Sequence, residues 1–394
     1  MYSRRFDWDA QPHPLSQATD NQMVRGKTIV NLVDANPTRC GFAYPEDAIL
    51  SAIARPDAMT YDPAPRGLPA ARDAVCAYYR EQGAVVSAER ILLTAGTSEA
   101  YGLLFKLLAD PGDEILIPRP GYPLLSHLAG FEGLICHAYP LRYSEASGWR
   151  VDLEVVSALV TTRTRAVVVV SPNNPTGNYI KSEELAALDT LCRKHGLALI
   201  VDEVFADFPR RPSHPAVKSV VNRTSALTFV LNGVSKMLGL PQLKLGWIVA
   251  GGDPRETVTA MERLELLMDF YLTVGTPVQT GTAQLLAGRQ DIQHQINARL
   301  TDNEAWLDAR LTGTANICRL AREGGWYAVL SIDDAIGDDA RALTLIEKAG
   351  TLIHPGLFYD FYREGFVVLS LLLPPERFAH GVSSLIRRFG RPAA

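Results

Sequence analysis

Residues 166–203 read AVVVVSPNNPTGNYIKSEELAALDTLCRKHGLALIVDE, and the two ends of this stretch set the fold class. Residues 166–170 and 197–201 are apolar at every position, where a strand with one wet face would alternate. Runs of that kind suit strands covered by helices on both sides of a mainly parallel sheet. Between them, residues 182–195 have the length and spacing of a helix. The rhythm continues outward in both directions. Further strands are predicted at residues 91–94, 114–117, 134–139, 227–231 and 245–250, with helices over 98–109 and 255–268. Seven strands interleaved with helices read as one large α/β domain over residues 51–285.

The flanks differ. Residues 1–50 are rich in Pro, Asn and Asp, and only residues 28–33 resemble a strand. Residues 286–394 hold a long helical stretch, the run Gly325-Trp326-Tyr327-Ala328-Val329-Leu330, a second helix and a strand at 366–372. They read as a smaller α+β domain to which the N-terminal segment contributes. No internal repeat or low-complexity tract is present.

Composition narrows the partners. The chain has 394 residues, 47% hydrophobic and 21% charged, enough for a large core without disulfides or structural metals. A net charge of −4 offers no broad basic field for nucleic acid or an anionic membrane, so small molecules and copies of the chain itself are the expected partners. Cys40, Cys76, Cys136, Cys192 and Cys318 are widely spaced, odd in number and without a C-x-x-C pair. They argue against a zinc site or a disulfide framework and suit a reducing cytoplasm. The amino terminus, Met-Tyr-Ser-Arg-Arg-Phe-Asp-Trp-Asp, carries charge where a signal peptide needs an apolar core. No apolar stretch approaches the roughly 20 residues that span a bilayer. A soluble, cytoplasmic protein is expected.

In open α/β sheets, ligands gather beyond the carboxyl ends of the strands, so the residues that follow each strand were read in turn. Ala95-Gly96-Thr97-Ser98-Glu99 opens a helix, and serves either as an anion cup or as an ordinary N-cap. Pro118-Arg119-Pro120-Gly121-Tyr122-Pro123 is a rigid turn that presents an aromatic ring, for packing or for stacking on a ligand. Ser171-Pro172-Asn173-Asn174-Pro175-Thr176-Gly177 holds an oriented amide. Asp202 ends an apolar strand, either as a buried loop cap or as a functional acid. Lys236, in Asn232-Gly233-Val234-Ser235-Lys236-Met237, becomes a nucleophile if its amine is deprotonated. Together these loops supply what pyridoxal phosphate (PLP) requires: an anion cup, an aromatic plate, an amide donor, an acid for the pyridine nitrogen and a Schiff-base lysine.

In this order and spacing the chain resembles the fold-type I PLP enzymes, specifically the class I/II aminotransferases related to aspartate and alanine aminotransferase. The likeness runs from Tyr61 to the C-terminus. The family's Ser-Lys-x-x-Gly-Leu-Pro motif matches Ser235–Pro241, which implies that Lys236 carries the Schiff base with Ser235 beside the cofactor. The basic residue that grips the phosphate corresponds to Lys244, a point charge where the family usually has an arginine fork. Asn174 matches the residue that bonds the ring's phenolic oxygen, Asp202 the acid on the pyridine nitrogen, and Tyr122 the stacking aromatic. Gly96, Thr97 and Ser98 match the phosphate loop. Tyr61, in Tyr61-Asp62-Pro63-Ala64-Pro65-Arg66-Gly67, resembles the tyrosine that reaches the partner subunit's phosphate, which implies a homodimer with shared active sites.

Two positions depart from the pattern. Phe205 stands where the family usually has a tyrosine that also bonds the phenolic oxygen, so a shifted pH optimum is expected. Val368 stands where the family has the arginine that clamps the substrate's α-carboxylate. Either another cation takes that role, Arg39 being the best placed by sequence, or the substrate lacks an α-carboxylate. The leading expectation is an aminotransferase acting between an amino acid and a 2-oxo acid, with no metal. The alternative is another PLP reaction on the same scaffold: a carbon–sulfur lyase, decarboxylase or oxidase. A PLP-sensing transcription regulator is disfavoured by the short N-terminal segment and the net acidity. Gly26-Lys27-Thr28 fails as a P-loop, because Asn21 replaces its first glycine.

Overall fold

The computed structural model describes residues 2–5, 11–210, 216–272 and 274–393. Its largest sheet has eight strands: β1 Ile91–Thr94, β2 Glu114–Arg119, β3 Ile135–Ser144, β4 Gly148–Val151, β5 Thr164–Val170, β6 Ala198–Asp202, β7 Thr228–Gly233 and β8 Gly246–Gly251. They lie in the order β1-β8-β7-β6-β5-β2-β3-β4. From β7 through β3 every neighbouring pair is parallel, whereas β8 runs antiparallel to β7 and β1, and β4 antiparallel to β3. The seven expected strands are all present. The eighth, β4, is a hairpin return that pairs Val151 with Leu141 and Gly148 with Ser144. Gly-Trp-Arg-Val is too short and mixed to register as an apolar run, and β3 grows longer than expected to meet it.

The continuous apolar runs are explained by the two faces of the sheet. Val167, Val169, Leu199, Val201 and Val230 pack with Tyr78, Tyr79 and Trp247 on one side. Ala166, Val168, Ala198, Ile200, Phe229 and Leu231 pack with Leu104, Met261 and Leu264 on the other. Successive strand residues point to opposite faces, and here both faces are dry. Each large aliphatic side chain so buried contributes about 1.5–3 kcal/mol. The expected helices appear as Thr97–Leu108, Ser182–His195 and Pro254–Tyr271.

A second, antiparallel sheet follows the long helix Arg289–Leu311. Its strands are β9 Ile317–Arg319, β10 Tyr327–Ile332, β11 His354–Pro355 and β12 Phe366–Ser370, in the order β9-β10-β12-β11. The N-terminal strand is shorter than expected: Val30–Asn31 alone pairs, in parallel, with Thr351–Leu352. Leu32 is fully buried and packs with Phe378, Val382 and Leu385. No described helix is long and apolar enough to cross a membrane.

Because β8 reverses direction, β1 runs the same way as β7. The carboxyl ends of β1, β2, β5, β6 and β7 therefore lie along one edge. Gly246, at the start of β8, brings two of the resulting loops together. A Cβ there would sit 3.0 Å from Gly96 Cα and 3.1 Å from the Asn232 carbonyl oxygen. Gly246→Ala is expected to overpack this crossing and to destabilise the protein by about 1–3 kcal/mol, measured by urea unfolding.

Candidate active site

β7 ends at Gly233, whose N–H donates to Asn232 Oδ1 at 2.7 Å, and the chain turns at once into the short helix Val234–Met237. This places the Lys236 ammonium 5.2 Å from the centroid of the Trp326 ring and 5.7 Å from that of Phe205. Burial pushes the amine below its ordinary range, and the charge of Asp202 opposes that shift. A lysine that sheds its proton easily is what nucleophilic chemistry at an amine requires.

Asp202 closes the neighbouring strand β6 and is 4% exposed. Its Oδ1 accepts from the Val204 N–H and its Oδ2 from the Tyr101 hydroxyl, both at 3.0 Å. Burial raises the carboxyl to about 6, against the pull of those two bonds and of Lys236. The Ser171 N–H donates to the Asp202 carbonyl at 2.8 Å and so ties the end of β5 to the end of β6.

Of the two amides in the loop after β5, one is structural. Asn173 Nδ2 donates to the Pro120 carbonyl at 3.0 Å and to Thr176 Oγ1 at 2.7 Å, fixing this loop against the turn that carries Tyr122. Asn174 is also buried, and its amide makes no hydrogen bond with a described residue; Oδ1 lacks a partner in both asparagines. A buried amide with neither its donor nor its acceptor used is costly unless a ligand engages the group. Tyr122 is half-buried, and burial together with the Asp202 charge pushes its phenol up.

Gly96 has φ +134° and starts the helix Thr97–Leu108, with Thr97 and Ser98 in the first turn. Helix-start N–H groups attract anions. A Cβ on Gly96 would meet nothing within 4 Å, so this side of the loop is open. Lys244 is exposed at φ +51°, two residues before the glycine that packs on Gly96. A left-handed lysine costs of order 1 kcal/mol.

The remaining sequence candidates fall elsewhere. Tyr61 is 68% exposed and lines a cleft with Leu93, Met268, Leu272 and Gln279, apart from the Lys236 cluster. Arg39 is exposed on the turn Pro37–Arg39, and no hydrogen bond or ion pair joins its guanidinium to another described residue. Its loop nonetheless rests on the segment after Lys236: the Tyr44 hydroxyl donates to the Gly239 carbonyl at 2.8 Å. Phe205 is buried edge-on against Trp326, 5.4 Å between centroids. Val368 is wholly buried on β12, paired across the strands with Val329 and His354. Burial pushes His354 down to about 4, so the imidazole is neutral at pH 7. Neither residue offers a positive charge.

Sequence reading missed Tyr101 and Trp326. Tyr101 looks like one more core residue of an amphipathic helix. Its signal is the hydroxyl, since a buried tyrosine needs a partner. Trp326 was visible only as part of a β-strand.

Proteins of known sequence and structure resemble this chain closely. A sequence model of the family described as "Aminotransferase class I and II" matches residues 38–384. Glutamate-pyruvate aminotransferase AlaA of Escherichia coli is 30% identical over 289 residues, covering 71% of this chain and 70% of that protein. Alanine aminotransferase of Mycobacterium tuberculosis is 29% identical over 359 residues, covering 88% and 82%. An Escherichia coli aminotransferase structure superposes with a TM-score of 0.87 at 25% identity, covering 99% of this chain and 98% of that one. The fold of the Pyrococcus furiosus alanine aminotransferase matches at a TM-score of 0.88 with 24% identity, covering 99% of each.

The raised carboxyl of Asp202 makes a prediction independent of any ligand. Folded Asp202 keeps its proton up to about pH 6, whereas the unfolded residue loses it near 3.8. Between those values the folded state binds more protons, so this group's contribution to stability falls as pH rises. In urea titrations of the ligand-free protein, Asp202→Asn should gain on the native chain between pH 4 and 7, by up to about 3 kcal/mol, and converge with it at pH 4.

Proposed function

Because the chain belongs to the class I and II aminotransferases, a family that depends on pyridoxal phosphate, we propose that Lys236 binds this cofactor covalently and is the catalytic base. One observation carries the reading. A lysine with a weakened hold on its proton follows one strand, a buried carboxylate ends the adjacent one, and the buried Asn174 amide makes no hydrogen bond with a described residue. A bound cofactor would give the Asp202 carboxylate a ring N–H to accept from, and Asn174 Nδ2 could donate to the phenolic oxygen.

The donor set fits the rest of the cofactor. Tyr122 is the stacking ring. Gly96, Thr97, Ser98 and Ser235 supply polar contacts for the phosphate, and Lys244 its counter-charge. When bound, pyridoxal phosphate withdraws electrons from the substrate's Cα, which makes that carbon acidic. Asp202 holds a proton on the pyridine nitrogen. Lys236 Nζ removes the proton from the substrate's Cα, and the Phe205 and Trp326 rings keep water from that amine. Phe205 contributes no hydroxyl, which leaves Asn174 with less help in stabilising the ionised phenolic oxygen.

Aminotransferases act between an amino acid and a 2-oxo acid, so a carboxylate must be accommodated. Val368 and His354 close its usual place with uncharged groups. Arg39 takes it instead, because its guanidinium has no other described partner and its loop packs on Gly239. The two curated relatives are named for glutamate, pyruvate and alanine, which are therefore the first donors and acceptors to try.

The protein acts as a homodimer in which Tyr61 serves the neighbouring site. Tyr61 and Leu272 line one cleft, and Met59, Phe270 and Tyr271 nearby in sequence are at least half exposed, an apolar surface that a second copy would cover. All five cysteines are free, which suits a cytoplasmic location.

Lys236→Ala is expected to abolish the cofactor's visible absorbance in the purified protein. A variant that keeps the native band after dialysis overturns the assignment. Sedimentation should give twice the 43.1 kDa of one chain. Mixing Lys236→Ala with Tyr61→Ala chains should restore activity above either alone. Arg39→Ala should raise KM for both substrates with little change in cofactor affinity.

A further inference from the structure

We propose that Tyr101 is a positioning residue for Asp202, holding the acid ionised and oriented toward the pyridine nitrogen of the cofactor. The inference rests on the reading of Asp202 given above. Tyr101 sits one turn into the helix Thr97–Leu108, and its hydroxyl donates to Asp202 Oδ2 at 3.0 Å. Both residues are buried, at 1% and 4% exposure. With Val204 N–H on Oδ1, each carboxylate oxygen has one protein donor and keeps lone-pair capacity for a ligand.

The choice of a phenol has a physical reason. An acid that must keep a ring nitrogen protonated has to be ionised itself, yet burial works against ionisation. A cation in van der Waals contact would keep Asp202 charged but would compete with the ring nitrogen for it. A neutral donor favours the charged form without supplying a rival charge. Burial and the Asp202 charge hold the Tyr101 phenol far above its ordinary range, so it stays a donor at any working pH.

The other titratable groups around Asp202 do not substitute for it. Lys236 is the cation and is committed to chemistry. The Tyr122 hydroxyl is also pushed up by burial and by Asp202. Glu203 follows Asp202 in the chain, is raised by burial to about 8, and accepts from the Val220 N–H at 2.7 Å. Tyr101 thus gives a second use to the helix whose first turn faces the phosphate. One rigid element addresses both ends of the cofactor.

The test measures the affinity of the cofactor-free protein for pyridoxal phosphate from pH 5.5 to 9, by quenching of tryptophan fluorescence. Tyr101→Phe, Asp202→Ala and a chain with 3-fluorotyrosine at position 101 are compared with the native protein, and thermal unfolding of each ligand-free form checks folding. Tyr101→Phe should bind roughly tenfold more weakly near neutrality, the loss expected when a charged acceptor loses one donor. The pH at which affinity falls on the acid side should move upward. The fluorinated residue, a stronger donor, should move it downward even if the Phe variant folds poorly. A folded Tyr101→Phe protein, or a fluorinated one, that reproduces the native curve overturns the role of Tyr101. If Asp202→Ala also reproduces the native curve, the Asp202 assignment falls with it. If Asp202→Ala alone weakens binding, only Tyr101 is misassigned.

Discussion

The placing of buried Asp202 near half-buried Lys236, each felt by the other's charge, is the constraint on which the rest of the structure depends. Neither group is stable in its charged form at that depth without help, and burial moves the two in opposite directions, the acid up and the amine down. Asp202 ends β6 and Lys236 lies in the short helix that follows β7, so their relation depends on the register of β6 on β7, where Asp202 lies opposite Leu231. A register slip of one residue would turn Asp202 to the wrong face. The dry, two-sided packing of those strands makes the register expensive to change, and the apolar core is thereby part of the chemistry.

Around that pair, each further element supplies a polar partner that the sheet itself cannot. The helix beginning at Thr97 brings the Tyr101 hydroxyl, and the loop after β5 brings Asn174 while Asn173 pins the loop in place. The two asparagines show how little local chemistry says about role: one residue apart and identical in type, one donates two hydrogen bonds through Nδ2 and the other makes none with a described residue, while neither Oδ1 has a partner. Gly246 lets β8 approach Gly96 closely enough to bring that turn to the corner where Lys244 lies.

The second sheet closes the site from the other side, and it does so with apolar and neutral groups. Trp326 and Tyr327 on or beside β10 pack against Phe205. Val368, Val329 and the neutral His354 fill the wall beyond. A carboxylate placed against such a wall would lose hydration with no cation to compensate. The turn bearing Arg39 rests on the segment that follows Lys236.

Much of this was open to reading in the linear chain. Unbroken apolar runs at 166–170 and 197–201 can satisfy their side chains only between two layers of helix, which determines a mainly parallel sheet. Strand ends in such a sheet share an edge, which gathers Gly96, Tyr122, Asn174, Asp202 and Lys236 before any coordinate is known. Tertiary structure alone decided the partners. The β4 hairpin, the bond from Tyr101 to Asp202, the division of labour between Asn173 and Asn174, and the neutral wall at Val368 and His354 all join residues far apart in sequence. Hydrophobic periodicity records which face of an element is buried. It carries no information about which polar atom across the core will meet it, because that depends on distances that only the packed chain defines.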